Sequence, residues 1–281
     1  TLIERLADRF DFVTRDVDAI RAAREPGALR ALPVIEGVHV PPVLPGDQTG
    51  PGRWLRKPVR SAAGIDIRFA SPTAPPCPDH YLQAFVPGVP ISIGYMAGPG
   101  PVHTLGLTRQ IIGDPRFGAS GFMYVGNIGG LHLPPATTKA VKQLGEAVTQ
   151  RFGLYGPYGV DAILDEDGII WPIEVNPRFA AGFEVIQRSL GIMTLRPGTS
   201  AIDGRASRAG KAILYARHRV RCPDLREHLG RDAIADVPAV GEVIEAGRPV
   251  CTLLAAADDE DACLTALVRL AQRSYTVLDH A

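Results

Sequence analysis

The sequence predicts a mixed α/β protein, made of two packed α/β lobes and a small α+β unit at the C-terminus. Three observations support this fold class. The chain has 281 residues, which is long for a single compact core. Short β-like runs separated by glycine and proline fill the segment from Trp54 to Leu107. An amphipathic helix from Thr138 to Phe152 follows, with the apolar face expected of a helix that covers a sheet.

Composition and charge favour an ordinary soluble globular protein. Apolar residues make up 46% of the chain and charged residues 21%, which leaves no case for disorder throughout. The 30 basic and 30 acidic residues cancel, so we expect neither nucleic acid nor a membrane surface as a partner. Apolar stretches are far shorter than the roughly 20 residues that span a bilayer. The four cysteines are widely spread, without the spacing of a metal site, which favours a reduced, cytoplasmic protein.

Proline and glycine divide the chain into three expected units, residues 1–50, 51–208 and 209–281. In the first unit, helices from Asp16 to Arg24 and from Ala28 to Leu32 lead into a proline-rich connector. In the third, we expect a strand from Lys211 to Arg217, strands between Gly241 and Leu254, and a helix from Asp258 to Arg273.

The middle unit carries most of the predicted β-structure. Its first five β-like runs predict one largely antiparallel lobe. They are Trp54 to Val59, Ile65 to Phe69, Tyr81 to Val86, Ile91 to Met96 and Val102 to Leu107. The glycine-rich stretch from Gly126 to Gly130 is interpreted as a turn between strands. A helix from Phe183 to Leu190 should end at Gly191.

A predicted hairpin contains the residues most typical of a metal site. Its strands are joined by Asp165-Glu166-Asp167-Gly168, in which Asp-Gly is a strong hairpin signal. Asp161 lies on the first strand, and Glu174 and Asn176 lie on one face of the second. Antiparallel pairing can bring the three side chains together, and such oxygen donors suit magnesium with a nucleotide. The alternative is the solvated face of an ordinary hairpin.

The run from Gly159 to Arg178, GVDAILDEDGIIWPIEVNPR, resembles the metal-binding hairpin of the ATP-grasp superfamily, and EVNPR matches its signature. This resemblance implies an ATP-grasp fold whose two lobes enclose ATP, with Mg2+, or Mn2+ in its place, as the ion. By the resemblance, Asp161 and Glu174 bind magnesium, Glu174 bridges two ions, and Asn176 completes the second site. Arg178 would contact the transferring phosphoryl group or the acyl-phosphate oxygen as a catalytic residue.

Upstream, the run RWLRKPVRSAAGIDIRF resembles the strand, lysine and small-residue loop of the same family. The resemblance implies that Lys57 contacts the α- and β-phosphates and supports catalysis. Small side chains let the loop approach phosphates and offer backbone N–H groups. The loop residues are Ser61, Ala62, Ala63 and Gly64. A simple β-turn explains the same residues.

The run YLQAFVPGVPIS resembles the hinge between the two nucleotide-binding lobes. The residues implied to border the adenine are Gln83, Ala84, Phe85 and Val86. Many family members have an acid for the ribose where this chain has Pro90, and Ser92 is the nearest substitute. The position of the family's second phosphate-binding lysine falls near Pro26 in this chain, and the nearest cation in the sequence is Arg24.

The specific resemblance extends from about Asp16 to Leu190. A weaker one continues from Ile234 to Ala255, which is similar to the trailing domain of carboligases related to biotin carboxylase. By this resemblance, we expect the family's N-terminal domain to be largely absent, because only Thr1 to Thr14 could belong to it.

These resemblances imply an ADP-forming ligase that activates a carboxylate as an acyl phosphate for attack by an amine. Its partners would be small-molecule carboxylate and amine substrates, an amino acid or a cofactor precursor among them, and a homodimer is compatible with the sequence. Two alternatives stay open. One is a bicarbonate-activating carboxylase, and the other is a noncatalytic Mg-ATP-binding module.

Overall fold

A computed structural model describes residues 17–48, 50–60, 63–71, 77–191 and 208–280 of the chain. Asp16, the expected helix cap, lies outside the described residues. Among the described residues, no helix combines the length and the apolar character that crossing a membrane requires.

The described residues form five α-helices and fourteen strands. The helices are α1 (Val17–Arg24), α2 (Pro135–Phe152), α3 (Gly182–Leu190), α4 (Leu225–Leu229) and α5 (Glu260–Asp279). The strands of the N-terminal part are β1 (Val43–Pro45), β2 (Trp54–Pro58), β3 (Arg68–Phe69), β4 (His80–Ala84), β5 (Val89–Ala97), β6 (His103–Ile112) and β7 (Tyr124–Gly129). The strands of the C-terminal part are β8 (Gly156–Leu164), β9 (Ile170–Asn176), β10 (Arg208–Tyr215), β11 (Val220–Arg221), β12 (Ile234–Ala235), β13 (Val243–Ile244) and β14 (Pro249–Ala257).

Two antiparallel sheets form the framework, which confirms the mixed α/β fold class. A four-stranded sheet has the order β1-β4-β2-β3, and an eight-stranded sheet has the order β12-β14-β10-β7-β6-β5-β8-β9. The expectation of one antiparallel lobe was therefore wrong, because β2 to β4 belong to the small sheet and β5 and β6 to the large one. The chain passes from the small sheet to the large sheet at Pro87-Gly88. Gly88 has no room for a side chain, because a Cβ there would lie 2.4 Å from the Leu164 carbonyl oxygen.

Helices cover the two faces of the large sheet unequally. On one face, α2 packs its buried residues against β5 and β8, and α5 packs against β10. On the other face, α3 covers only part of the sheet, where Phe183 and Ile186 pack against Met96 and Leu105. Because side chains alternate along a strand, every second residue of the central strands is directed to this partly covered face.

The stretch from Gly126 to Gly130, interpreted as a turn, was wrongly assigned, because it forms most of the central strand β7. The glycines are explained by close approaches of neighbouring elements rather than by a change of chain direction. A Cβ on Gly126 would lie 1.9 Å from the Lys211 carbonyl oxygen, and one on Gly129 would lie 2.3 Å from the Ser189 hydroxyl oxygen. Only glycine lets β10 and α3 lie this close to β7.

Gly145 in α2 has no room for a larger side chain, so Gly145→Ala should destabilise the fold. A Cβ would lie 2.4 Å from the Tyr95 ring. Tyr95 is fully buried, its ring stacks on that of Tyr158 at 5.1 Å, and its hydroxyl donates a 2.7 Å hydrogen bond to the Val141 carbonyl. Overpacking costs up to about 3 kcal/mol and the gain in helix propensity is about 1, so we expect a net loss of about 2 kcal/mol.

The measurement is the free energy of unfolding in urea. Glu146→Ala, one residue further on the exposed side of α2, is the matched control and should leave stability nearly unchanged. Equal stability of Gly145→Ala and the wild type would contradict this packing.

Candidate active site

A row of polar side chains crosses the large sheet on the face that α3 leaves partly open. Asp161 of β8 lies opposite Ser92 of β5, which in turn lies opposite Thr108 of β6. Gln110, two residues along β6, lies opposite Asn127 of β7. Paired residues and residues two apart share a face, so all five side chains are directed to the same side.

The hairpin of β8 and β9 brings the predicted metal ligands together. Asp161 and Glu174 are directly paired across the two strands. The Asn176 amide donates a 2.9 Å hydrogen bond to one carboxylate oxygen of Asp161. Gln110 donates another of 2.9 Å to the second oxygen. The proximity predicted from the sequence is therefore present, and metal binding by these residues stays a prediction.

The electrostatics of the hairpin suit a bound cation. Burial, and then the charge of Glu174, raise the pKa of Asp161 to about 6. The charge of Glu174 disfavours the charged form of Asp161, and a divalent cation bound between the two carboxylates would relieve that repulsion. Within the described ranges, no three His, Cys, Asp or Glu side chains form a metal group. An ion here would use the two carboxylates, the Asn176 amide oxygen and nucleotide oxygens, which is the oxygen-only donor set that magnesium prefers.

Lys57 reaches this site from the small sheet. Its ammonium donates a 3.1 Å hydrogen bond to Gln83, and both side chains are buried. Gln83 in turn donates to the Ile173 carbonyl at 3.3 Å, which joins β4 of the small sheet to β9 of the large one. Burial lowers the pKa of Lys57, and the charges of Glu174 and Asp161 oppose that shift. The lysine thus lies between the two sheets within electrostatic range of both carboxylates.

The predicted phosphate loop lies against the large sheet. Ser61 and Ala62 fall outside the described residues. Ala63 and Gly64 both have left-handed backbones, with φ of 58° and 68°. The Ala63 carbonyl accepts a 2.9 Å hydrogen bond from the Tyr124 N–H, and the Gly64 carbonyl accepts one of 3.3 Å from Ile67. These contacts use carbonyl acceptors, so they do not engage the N–H groups that a phosphate would need.

The hinge residues adjoin both sheets. The Ala84 N–H donates to the Pro42 carbonyl at 2.9 Å, so only its carbonyl can serve an adenine edge. Phe85 packs against Phe69 at 5.2 Å and lies under the Arg53 guanidinium at 4.6 Å. The adenine contacts assigned to Gln83, Ala84, Phe85 and Val86 stay predictions.

Ser92 and Gln110 both hydrogen-bond to Asp161, but the sequence analysis had singled out only Ser92. Ser92 was considered for the ribose, but its hydroxyl hydrogen-bonds to Asp161, and its contact with ribose stays a prediction. The contact of Gln110 was missed, because the predicted strand ended at Leu107. Thr108 and Gln110 are polar residues at two-residue spacing within β6, and this alternation was the available signal.

The two cations implied near the phosphates, Arg178 and Arg24, are both exposed. Arg178 donates a 3.2 Å hydrogen bond to the Asn176 amide oxygen, so it lies beside the hairpin, and its catalytic role stays a prediction. Arg24 lines a cavity together with Tyr81, Gln83 and Glu174. Burial, and then the charge of Glu174, raise the pKa of Tyr81 well above its usual range.

Comparison with known proteins places this site in context. One curated relative, an uncharacterized protein of Methanocaldococcus jannaschii, is 30% identical over 138 residues, which are 47% of this chain and 34% of that protein. The chain therefore spans about a third of the length of this relative.

Solved structures of ligases share the fold. An L-amino acid ligase from Bacillus licheniformis is 15% identical with a TM-score of 0.68, over 91% of this chain and 72% of that one. A biotin carboxylase–β-γ-ATP complex from Campylobacter jejuni is 12% identical with a TM-score of 0.67, and the match covers 94% of this chain and 69% of that one. The model of the ATP-grasp domain matches residues 36–182, slightly more than half of the chain. The chain belongs to the ATP-grasp family.

Proposed function

We propose that this chain is an ADP-forming carboxylate–amine ligase that acts through an acyl phosphate on an amino acid or a cofactor precursor. One observation carries the proposal. Asp161 and Glu174 are paired on the large sheet, within electrostatic range of Lys57 from the small sheet. A magnesium triphosphate between the sheets would meet oxygen ligands on one side and a cation on the other.

The residues divide into three groups by what each can contribute. Asp161, Glu174 and Asn176 would hold magnesium, which neutralises the phosphate charge. Lys57 would bind phosphate oxygens with its buried ammonium, and Ala63 and Gly64 would do so with their N–H groups. Exposed Arg178 would orient the carboxylate toward the γ-phosphorus. Catalysis would then rest on positioning and charge stabilisation, without a protein nucleophile.

The reaction balances in two steps. A carboxylate oxygen attacks the γ-phosphorus, and the bond to the ADP oxygen breaks. A neutral amine then attacks the acyl carbon, phosphate leaves with the former carboxylate oxygen, and the amine nitrogen loses a proton. Phosphate is a far better leaving group than an oxide ion, which explains why the carboxylate must be activated first.

The test is Mg-dependent ADP release across a panel of carboxylates and amines, with products identified by mass. Hydroxylamine replaces the unknown amine in a first screen, because it converts any acyl phosphate to a stable hydroxamate. A carboxylate labelled with oxygen-18 should transfer one labelled oxygen to phosphate. ADP release without hydroxamate or label transfer for any carboxylate would contradict the proposal.

A bicarbonate-activating carboxylase is the second candidate. The fold likeness to a biotin carboxylase favours it, as does the way that C-terminal strands β10, β14 and β12 extend the large sheet. Bicarbonate should then stimulate ADP release when no other carboxylate is present. Stimulation by organic carboxylates in bicarbonate-free buffer would instead support the ligase.

A further inference from the structure

The polar row of the large sheet runs from the hairpin of β8 and β9, which carries the predicted metal ligands, to a charged cluster at β10. Lys211 of β10 lies opposite Asn127 of β7, so it shares the sheet face of Gln110 and Asp161. Asn127 is fully buried, donates a 2.7 Å hydrogen bond to Thr108, and accepts one from the Tyr124 hydroxyl. The row therefore continues from the metal hairpin to β10.

The cluster consists of Lys211, Glu184 and Arg188. The Lys211 ammonium lies 3.1 Å from one Glu184 oxygen, and the Arg188 Nε lies 3.1 Å from the other. Two cations share one carboxylate, so the cluster has a net charge of +1. The Lys211 side chain is only 14% exposed. Among the described residues, its one hydrogen-bond partner is Glu184, which leaves two of three N–H donors for a ligand.

The spacing along the sheet limits what could join this cluster to the metal hairpin. The strand order β10-β7-β6-β5-β8 puts four strand spacings between Lys211 and Asp161, or about 19 Å between backbones. The long lysine side chain shortens that span. Tyr124 lies between the two sites: burial raises the pKa of its hydroxyl, and the charges of Asp161 and Glu184 add to the shift. A single small anion cannot touch both ends, so a ligand that joined them would have to be an extended molecule.

We propose that Lys211, held by Glu184 and assisted by Arg188, binds an anionic group at the far end of the carboxylate substrate. This inference rests on the proposed ligase function and names its substrate class. One carboxylate of an extended diacid would be activated beside Arg178, and the other would be bound by the buried ammonium. Charge-assisted hydrogen bonds are the strong ones, so the second carboxylate should contribute most of the substrate selectivity.

Direct binding tests this inference without turnover. Sebacate, dodecanedioate and tetradecanedioate, whose lengths approach the span, are titrated calorimetrically into the protein with magnesium and a nonhydrolysable ATP analogue, beside decanoate, dodecanoate and tetradecanoate. We expect at least one diacid to bind about tenfold more tightly than the monoacid of equal length. Lys211→Met should abolish that preference, and Lys211→Arg should retain it.

Controls separate recognition from folding. Lys139→Met removes an exposed lysine that lies 3.7 Å from Glu36 in a surface ion pair, and it should behave as the wild type. If Lys211→Met fails to fold, Arg188→Met at an exposed position should still reduce the preference about threefold. Equal binding of diacids and monoacids by the wild type, or an unchanged preference in Lys211→Met, would overturn the inference.

The inference and the ligase function can fail separately. Hydroxamate formation without diacid preference overturns only the substrate class. Diacid preference without ADP release from any carboxylate supports the binding site and counts against the ligase.

Discussion

Glu174→Gln is expected to lower the ligase turnover number about 1000-fold, on the scale of losing a key group that stabilises transition-state charge. The substitution keeps the size of the side chain and removes one of the two negative charges that would hold magnesium. Glu174 is paired with Asp161 and raises its pKa, so its loss relieves repulsion in the metal-free protein. Thermal unfolding in EDTA should therefore occur at the same temperature or a higher one.

The measurement is ADP release as a function of magnesium concentration. Glu166→Gln, in the exposed turn of the same hairpin, is the matched control and should retain wild-type turnover and magnesium dependence. Retention of Mg-dependent turnover by Glu174→Gln would rule out the metal role of this hairpin.

Lys57→Met is expected to weaken Mg-ATP binding about 100-fold, since hydrogen bonds to charged groups contribute about 1.5–3 kcal/mol. The lysine is buried between the sheets, and its charge opposes those of Glu174 and Asp161. Removing the charge also removes the cost of burying it, while the Gln83 oxygen loses its donor. These two effects on stability have opposite signs, so nucleotide affinity should change far more than the unfolding temperature.

Calorimetric titration with Mg-ATP measures the affinity directly. Lys142→Met, on the exposed side of α2, is the control for loss of a lysine. Gln83→Met breaks the bridge to Ile173 but leaves the ammonium in place, and it should weaken binding less than Lys57→Met. An affinity of Lys57→Met for Mg-ATP within threefold of the wild type would rule out phosphate binding by Lys57.

The hairpin of the candidate site was predictable because its information is local. The Asp-Gly turn sets the register of the pairs next to it, from Leu164 opposite Ile170 to Ala162 opposite Pro172. A β-bulge between Asp161 and Ala162 then shifts the register by one residue and brings Asp161 opposite Glu174, which the turn alone does not specify. The helix α2 was predictable for the same reason, since its apolar residues recur at helical spacing. In both cases, apart from the bulge, neighbouring residues in the chain specify the geometry.

Sheet membership was not predictable, because it depends on contacts far apart in the chain. Nothing in the sequence of β7 indicates that Lys211 will approach Gly126 closely enough to exclude a side chain. The separation of β4 from β5 was missed because the residues of neither strand specify which sheet it joins. Ser92 likewise acquires its contact with Asp161 only through the pairing of β5 with β8.

The place of β10 in the large sheet has a consequence for synthesis of the protein. β10 lies between β7 and β14, although β7 leaves the ribosome about eighty residues earlier. Until β10 emerges, β7 has one edge with free N–H and C=O groups, which can pair with other chains. A nascent chain ending near Gly191 should therefore aggregate or recruit chaperones, whereas one that includes β10 and β14 should not.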